Sequence, residues 1–206
     1  MITINSKQSE ELKKDYMNAK EEILKFNKQK IEEKEAQTVD KSKLVFAVEN
    51  LNNQHFEVAN DNKTAKKRIY DIIGIFTKYK IEFDGRIKEI AIKIEKTFSS
   101  FIMMGLAKDG TPSENGLHYQ KDAWMISLYS GKVFREEKVV GALSNFQRPK
   151  TGDIVTLGID TKNHSMYIKV DGLKSSEVKI HINSEPNMYL CFDLAHPDDM
   201  ITLMDI

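Results

Sequence analysis

The most constraining feature of the sequence is a pair of alternating segments between Thr151 and Lys174. Each segment has apolar residues at every second position: Val155, Leu157 and Ile159, then Met166, Ile168 and Val170. A period of two residues is typical of a strand with one buried face. A polar turn at 162–164 separates the segments, and Gly152 and Gly172 mark turns at their outer ends. The sequence therefore predicts a β-hairpin that belongs to a packed sheet.

Short strand-like segments recur through most of the chain after Lys43. We predict them at 44–48, 55–59, 79–83, 89–94, 101–106, 123–128, 153–159, 165–170, 177–182, 188–193 and 201–204. The segment Thr64–Thr77 is ambiguous, and we interpret it as an irregular strand or a loop. Many short strands with no helical pattern between them indicate a mainly β fold, an antiparallel β-sandwich.

The first part of the chain has a different composition. From Ser6 to Gln37 it lacks Gly and Pro and is rich in Lys, Glu, Gln and Ala, which predicts one α-helix. Apolar residues recur there at alternating steps of four and three: Leu12, Tyr16, Ala19, Ile23 and Phe26. This is the spacing of a coiled-coil seam, but it ends when Lys30 and Glu33 take the next positions. Packing on the same chain or a partner helix, self-association and a solvated helix therefore stay open.

These patterns predict two parts, a coiled-coil-like helical arm over residues 1–42 and a β-domain over 43–206. Lys and Arg total 31 and Asp and Glu total 31, so no overall field attracts nucleic acid or an anionic membrane. The single Cys191 excludes an intramolecular disulfide and favours a cytoplasmic location. No apolar run approaches the roughly 20 residues of a membrane span. The basic cluster Lys63, Lys66, Lys67 and Arg68 is best explained as a solvated loop, with an acidic partner or RNA as the alternative.

The sequence gives no indication of catalysis. It contains no Gly-x-Ser-x-Gly, no Gly-x-x-x-x-Gly-Lys and no His-Glu-x-x-His. His196, Asp198 and Asp199 share one short loop, but no helix or strand spacing aims them at a common metal. We therefore expect a protein that is not an enzyme and has no cofactor and no metal.

The region from about Lys43 to Ile206 resembles the SPRY domain family in blocks that follow the family's order. The first block, Gly85 to Gly105-Leu106-Ala107, is similar to paired strands ending in Gly-Val-Ala, and the second, Ala123-Trp124 to Phe134, is similar to a Ser-Trp segment followed by Gly and an aromatic residue. The third, Thr151 to Asp160, is similar to a Gly-Asp strand ending in Gly-apolar-Asp, and the fourth, Met166 to Gly172, is similar to the following strand ending in Asn-Gly. The last block, Met188 to Phe192, is similar to a Leu-Tyr-Pro strand. The sequence departs from the family where residues 87–90 replace an early Trp-Glu-Val, and the extra N-terminal subdomain of tripartite-motif proteins is not evident.

The resemblance implies a concanavalin A-like jelly-roll sandwich in which the hairpin is scaffold and loops at one edge bind a peptide or protein. One implied contact loop precedes the Ser-Trp segment and contains Leu117, His118 and Tyr119. The other contains His196 and Pro197, where some relatives carry Trp-Gly. Trp124 fits the sandwich core best, with a place in the partner site as the alternative.

We therefore expect a non-enzymatic protein-interaction module, an adaptor or scaffold with a protein or peptide partner. The alternative is a constitutive structural subunit of a large intracellular assembly, including a cytoskeletal or ciliary one, in which the helix and the sheet faces are buried. An oligomer formed through the helix is compatible with either hypothesis.

Overall fold

The computed structural model describes residues 17–23, 44–47, 54–98, 101–111, 114–180 and 187–205. The chain divides into two compact units, Met1–Thr38 and Val39–Ile206. In the first unit, residues 17–23 form an exposed helical segment that includes Ala19 and Ile23 of the predicted stripe. The other stripe residues, Leu12, Tyr16 and Phe26, lie outside the described residues, so the role of the stripe stays a prediction.

The second unit is built from short antiparallel strands, as the sequence predicts. Their bounds are β1 (Phe56–Ala59), β2 (Thr64–Lys67), β3 (Ile73–Ile81), β4 (Ile87–Lys96), β5 (Ile102–Lys108), β6 (Ala123–Ser127), β7 (Lys132–Arg135), β8 (Lys138–Ala142), β9 (Ile154–Asp160), β10 (Ser165–Val170), β11 (Leu173–Lys174), β12 (Val178–Lys179), β13 (Met188–Leu194) and β14 (Met200–Leu203). Within the described residues, one 3₁₀ turn, Leu117–Tyr119, lies between β5 and β6.

The strands form two sheets that pack face to face. Within the described residues the first sheet has the order β1-β2-β14-β4-β9-β10-β11, with β12 also paired to β10, and the second has the order β3-β13-β5-β6-β7-β8. Strands that are neighbours in space are often far apart in sequence, as in a jelly roll. The predicted mainly β, SPRY-like sandwich is therefore confirmed.

The hairpin predicted between Thr151 and Lys174 is formed by β9 and β10. Cross-strand pairing places Leu157 opposite Ile168 and Ile159 opposite Met166, and these residues are buried between the sheets. Alternating residues of the neighbouring strand β4 and of β13 in the opposite sheet complete this core, including Ile90, Ile92 and Ile94 of β4 and Leu190, Phe192 and Leu194 of β13.

The opposite face of the hairpin is also covered, which the alternation alone does not predict. Tyr167 is only 2% exposed because its ring lies against Gly158, where a Cβ atom would overlap the ring. Its hydroxyl contacts the Glu89 carboxylate, and Lys169 pairs with Glu89 at 2.6 Å. Burial, reinforced by this carboxylate, raises the pKa of Tyr167 far above its usual range.

The structure corrects four details of the predicted strand pattern. Thr64–Thr77 contains the whole of β2 and the start of β3, so its interpretation as an irregular strand or loop is wrong. Of the strand predicted at 44–48, the described residues 44–47 form an isolated bridge between Phe46 and Thr77 and no continuous strand. Of the strand predicted at 177–182, the described residues 177–180 contain only the two-residue strand β12, and β7 and β8 lie where no strand was predicted.

Candidate interaction edge

The 3₁₀ turn Leu117–Tyr119 is held on the outer face of the second sheet by the buried carboxylate of Asp193. Leu117 N donates to Asp193 Oδ1 at 3.0 Å, and His118 N donates to Oδ2 at 3.3 Å. The Nδ1 atom of His118 lies 2.9 Å from the same Oδ2. Asp193 is the penultimate residue of β13, so the turn is fixed to the C-terminal end of that strand.

Leu117 packs into a depression in the sheet. At Gly74 of β3, an added Cβ would lie 2.5 Å from the Leu117 side chain, so only glycine leaves room for it. The other buried residues of this outer apolar cluster are Met103, Ala107, Ala123, Met125 and Cys191. Burial raises the pKa of the Cys191 thiol well above its usual value, which leaves it in the protonated form.

The structure separates the residues predicted in this loop. Leu117 and His118 are buried, whereas Tyr119 is 41% exposed and lies with its ring centre 4.0 Å from that of His118. Trp124 is 5% exposed within the core, and the Arg135 guanidinium lies over its ring at 4.5 Å. Tyr119 is therefore the residue of this group that presents a large side chain to solvent, and Leu117 and His118 position it.

The second predicted loop is organised by another buried carboxylate, Asp199. Its Oδ2 accepts from His196 N at 3.0 Å, and its Oδ1 accepts from Phe98 N at 3.1 Å. Pro197 is exposed and His196 is partly buried. Asp198 pairs with Lys96 and Lys66 at 3.0 and 3.1 Å, and these hydrogen bonds lower the pKa of its carboxyl group.

Aromatic side chains from several loops gather around His196. Ring centres lie 4.9 Å away for Tyr70 and 6.3 Å away for both Phe98 and Phe101, and Phe101 stacks on Tyr129 at 5.5 Å. We call this group, Tyr70, Phe98, Phe101, Tyr129 and His196, the aromatic cluster. Of its members, sequence reasoning selected only His196, because the other four are distributed over three connections between strands and belong to no motif.

The segment that carries Tyr70 is tied down by a buried lysine. Lys67 is fully buried at the end of β2, where its ammonium contacts Asp71 and lies 4.4 Å from the centre of the Phe56 ring. Burial lowers the pKa of Lys67, while Asp71 opposes that change. His55 Nδ1 lies 2.7 Å from the other oxygen of Asp71, so three polar side chains close the base of the loop.

Both predicted loops belong to the same edge of the sandwich. Leu194, the last residue of β13, pairs with Ile73 at the start of β3 and with Ile102 at the start of β5. Asp193, which holds the first loop, is also only three residues before His196 of the second loop, so both loops lie at this end of β13. We call this region, with Tyr119, Pro197 and the aromatic cluster, the interaction edge.

The described residues contain no group of three or more His, Cys, Asp or Glu side chains placed to hold a metal ion. Across the same part of the chain, no helix has both the length and the apolar character needed to cross a membrane.

Comparison with known proteins shows the fold. No family model matches the sequence, and no curated protein is similar to it by sequence. The SPRY domain of human HERC1 is similar in structure, with a TM-score of 0.61 and 15% identity over 82% of this chain and 98% of that one. The PSpry domain of TRIM65 is similar with a TM-score of 0.57 and 8% identity, covering 79% of this chain and 92% of that one.

A second human SPRY domain is similar at a TM-score of 0.58 and 11% identity, covering 72% of this chain and 94% of that one. The β-unit therefore has the fold of SPRY domains, which confirms the resemblance found in the sequence. Identities this low establish the fold alone.

Proposed function

We propose that this chain is a non-enzymatic protein-interaction module, which binds a peptide or protein partner through loops at the interaction edge. The SPRY domains to which the fold is similar support this class of function. Tyr119, His196 and Pro197 are the contact residues carried over from the sequence. In this proposal Leu117, His118 and Trp124 act from the interior, because their side chains are buried.

The observation that carries the proposal is the way the loops are held. Asp193 and Asp199 are each 1% exposed, and each accepts hydrogen bonds from the backbone of a loop distant in sequence. Loops fixed in this way lose little conformational entropy when a partner binds, so more of the contact energy appears as affinity. Aromatic side chains on such loops are typical binding anchors.

The polar pairs of the described region support binding better than catalysis. His118 and Asp193 resemble part of a catalytic arrangement, but the His118 side chain is only 7% exposed and its partner carboxylate also holds two backbone N–H groups. The contact between His118 and Asp193 therefore holds the turn Leu117–Tyr119 in place. A binding module of this kind in the cytoplasm needs neither a cofactor nor a metal.

The proposal is tested by comparing edge variants with a core variant. Partners recovered with the intact chain are used to measure affinity for Tyr119→Ala, His196→Ala and Ile168→Ala, together with the melting temperature of each protein. Truncation of a true anchor costs about 2 kcal/mol or more, which is about thirtyfold in affinity. We expect this loss for Tyr119→Ala or His196→Ala with little change in melting temperature.

Ile168→Ala is the matched control because it removes buried volume from the hairpin, and we expect it to lower the melting temperature instead. If both edge variants bind normally and Ile168→Ala loses binding without losing stability, the site is on a sheet face and the proposal is wrong.

A further inference from the structure

The dipeptide Asn115-Gly116 leads directly into the turn Leu117–Tyr119 of the interaction edge. The structure requires glycine at position 116, where φ is 81° and an added Cβ would lie 2.8 Å from both His118 and Ile72. The Asn115 side chain has no comparable role, because it is exposed and forms no hydrogen bond with any described residue. The fold therefore fixes Gly116 but leaves the side chain of Asn115 free to react.

The backbone N–H of Gly116 is also unpaired among the described residues. In an Asn-Gly sequence this nitrogen is the nucleophile that attacks the preceding side-chain amide, and a hydrogen bond from its N–H group would hinder the attack. Glycine has no side chain to obstruct the five-membered ring that forms. Both reacting groups are therefore available in the folded chain.

We propose that Asn115 is a deamidation site, and that its conversion to isoaspartate releases the turn Leu117–Tyr119 from Asp193. The Gly116 nitrogen bonds to Cγ of Asn115, the Cγ–Nδ2 bond breaks, and ammonia leaves with the proton of the backbone N–H group. Water then opens the succinimide ring at either carbonyl, which gives aspartate or isoaspartate. One water is consumed and one ammonia is released, and no oxidant or reductant takes part.

Isoaspartate lengthens the main chain by one methylene group just before Gly116 and adds a negative charge there. Leu117 N and His118 N donate to Asp193 at 3.0 and 3.3 Å, and a contact stretched to about 3.6 Å is no longer a hydrogen bond. The turn therefore tolerates little displacement, and the extra main-chain atom separates it from Asp193. The consequence for binding through Tyr119 rests on the proposed function, whereas the reaction and the loosened turn do not.

Ageing of the full chain tests the inference without knowledge of the partner. The native chain is incubated in mildly alkaline buffer at physiological temperature beside Asn115→Gln, whose longer side chain closes a ring much less readily. Peptide mapping by mass spectrometry, with fragmentation that separates isoaspartate from aspartate, measures conversion at each asparagine. Asn145 is the internal reference, because it is exposed in a turn but precedes Phe146.

We expect Asn115 to convert at least about tenfold faster than Asn145, because glycine leaves ring closure unhindered. In the aged native chain the amides of Leu117 and His118 should exchange with solvent faster than in the fresh chain. The same amides should be unchanged in aged Asn115→Gln. Asn115→Asp adds the charge without the extra main-chain atom, so its amides should exchange as slowly as those of the fresh native chain.

The inference is wrong if Asn115 converts no faster than Asn145, or converts only after the chain is unfolded in urea. It is also wrong if isoaspartate forms while the amides of Leu117 and His118 stay protected. Equal loss of protection in Asn115→Asp would contradict the main-chain explanation.

Partner affinity separates this inference from the proposed function. A partner recovered with the fresh chain should bind the aged native chain more weakly and aged Asn115→Gln as before. If the turn opens with age and affinity does not change, the result counts against Tyr119 as a contact residue and against the proposed function, while the modification site stands.

Discussion

At the scale of single residues, buried polar groups fix the positions of the loops at the interaction edge. Asp193 reaches back 76 residues to hold Leu117, and Asp199 reaches back 101 residues to hold Phe98. A carboxylate is costly to bury unless it accepts several hydrogen bonds, and both residues meet this condition. Neither was predicted as a site residue for this role, because the N–H groups that they bind come from distant parts of the sequence.

We predict that Asp193→Asn loosens the turn Leu117–Tyr119. The amide keeps one acceptor oxygen but directs an NH₂ group towards donors that now bond to Oδ2, so at least one buried N–H loses its partner. The cost is about 1–3 kcal/mol in the free energy of unfolding. Urea denaturation measures this loss, and hydrogen exchange locates it if the amides of Leu117 and His118 exchange faster than those of β9.

The exposed Asp109, in the turn after β5, provides a matched control. Asp109→Asn makes the same chemical change where no buried loop depends on it, and we expect less than about 0.5 kcal/mol. Equal stability and equal amide exchange in the two variants would show that Asp193 does not hold the turn.

At the scale of elements, the quality of the sequence signal explains which strands were predicted. The hairpin of β9 and β10 was predicted because its core positions alternate without interruption. The β7–β8 hairpin was not, because Glu136 and Glu137 occupy its turn with φ of 51° and 63° in place of Asn or Gly. Strand β2, Thr-Ala-Lys-Lys, was missed because its last residue is a lysine, which is fully buried beside Asp71, four residues further along the chain.

The contact between Gly158 and Tyr167 predicts non-additive mutational effects in the β9–β10 hairpin. Gly158→Ala improves strand propensity, but its methyl group overlaps the Tyr167 ring and displaces it from Glu89. We expect overpacking to dominate and to lower the free energy of unfolding by about 1–3 kcal/mol. In a Tyr167→Ala background the overlap is absent, so the same change should be neutral or slightly stabilising.

A double-mutant cycle on Gly158 and Tyr167 measures this coupling, with urea denaturation of the native chain, both single variants and the double variant. We expect a coupling energy of at least about 1 kcal/mol, in the direction that favours the double variant. Additive effects would contradict the steric explanation for glycine at this position.

At the scale of the whole molecule, sequence reasoning predicted the sandwich and proposed one anchor in each of two loops, but it did not select the other aromatic residues that lie near His196. Tyr119 and His196 followed from a resemblance to motifs. Tyr70, Phe98 and Phe101 lie in segments with no motif, and they meet because the ends of β2 and β4 and the start of β5 share one end of the sandwich. Proximity of that kind is a property of strand order, which no local pattern of residues specifies.

The helical arm provides the last prediction, which concerns association of the chain. Ile23 is 60% exposed in the helical segment, and the predicted stripe continues to Phe26. An amphipathic helix is stabilised mainly by packing of its apolar face, so we expect the stripe to be covered when the arm associates. The double variant Ile23→Asp with Phe26→Asp should therefore lower the oligomeric mass in light scattering or reduce partner recovery.

The same variant should leave the melting temperature of the β-unit unchanged, since the two residues belong to the other compact unit. Glu22→Asp is the matched control, because it changes an exposed helical residue outside the stripe and keeps its charge. Unchanged mass, protease sensitivity of the arm and partner recovery in the double variant would show that the stripe has no role in association. A lowered melting temperature would instead mean that the stripe supports the fold of the β-unit.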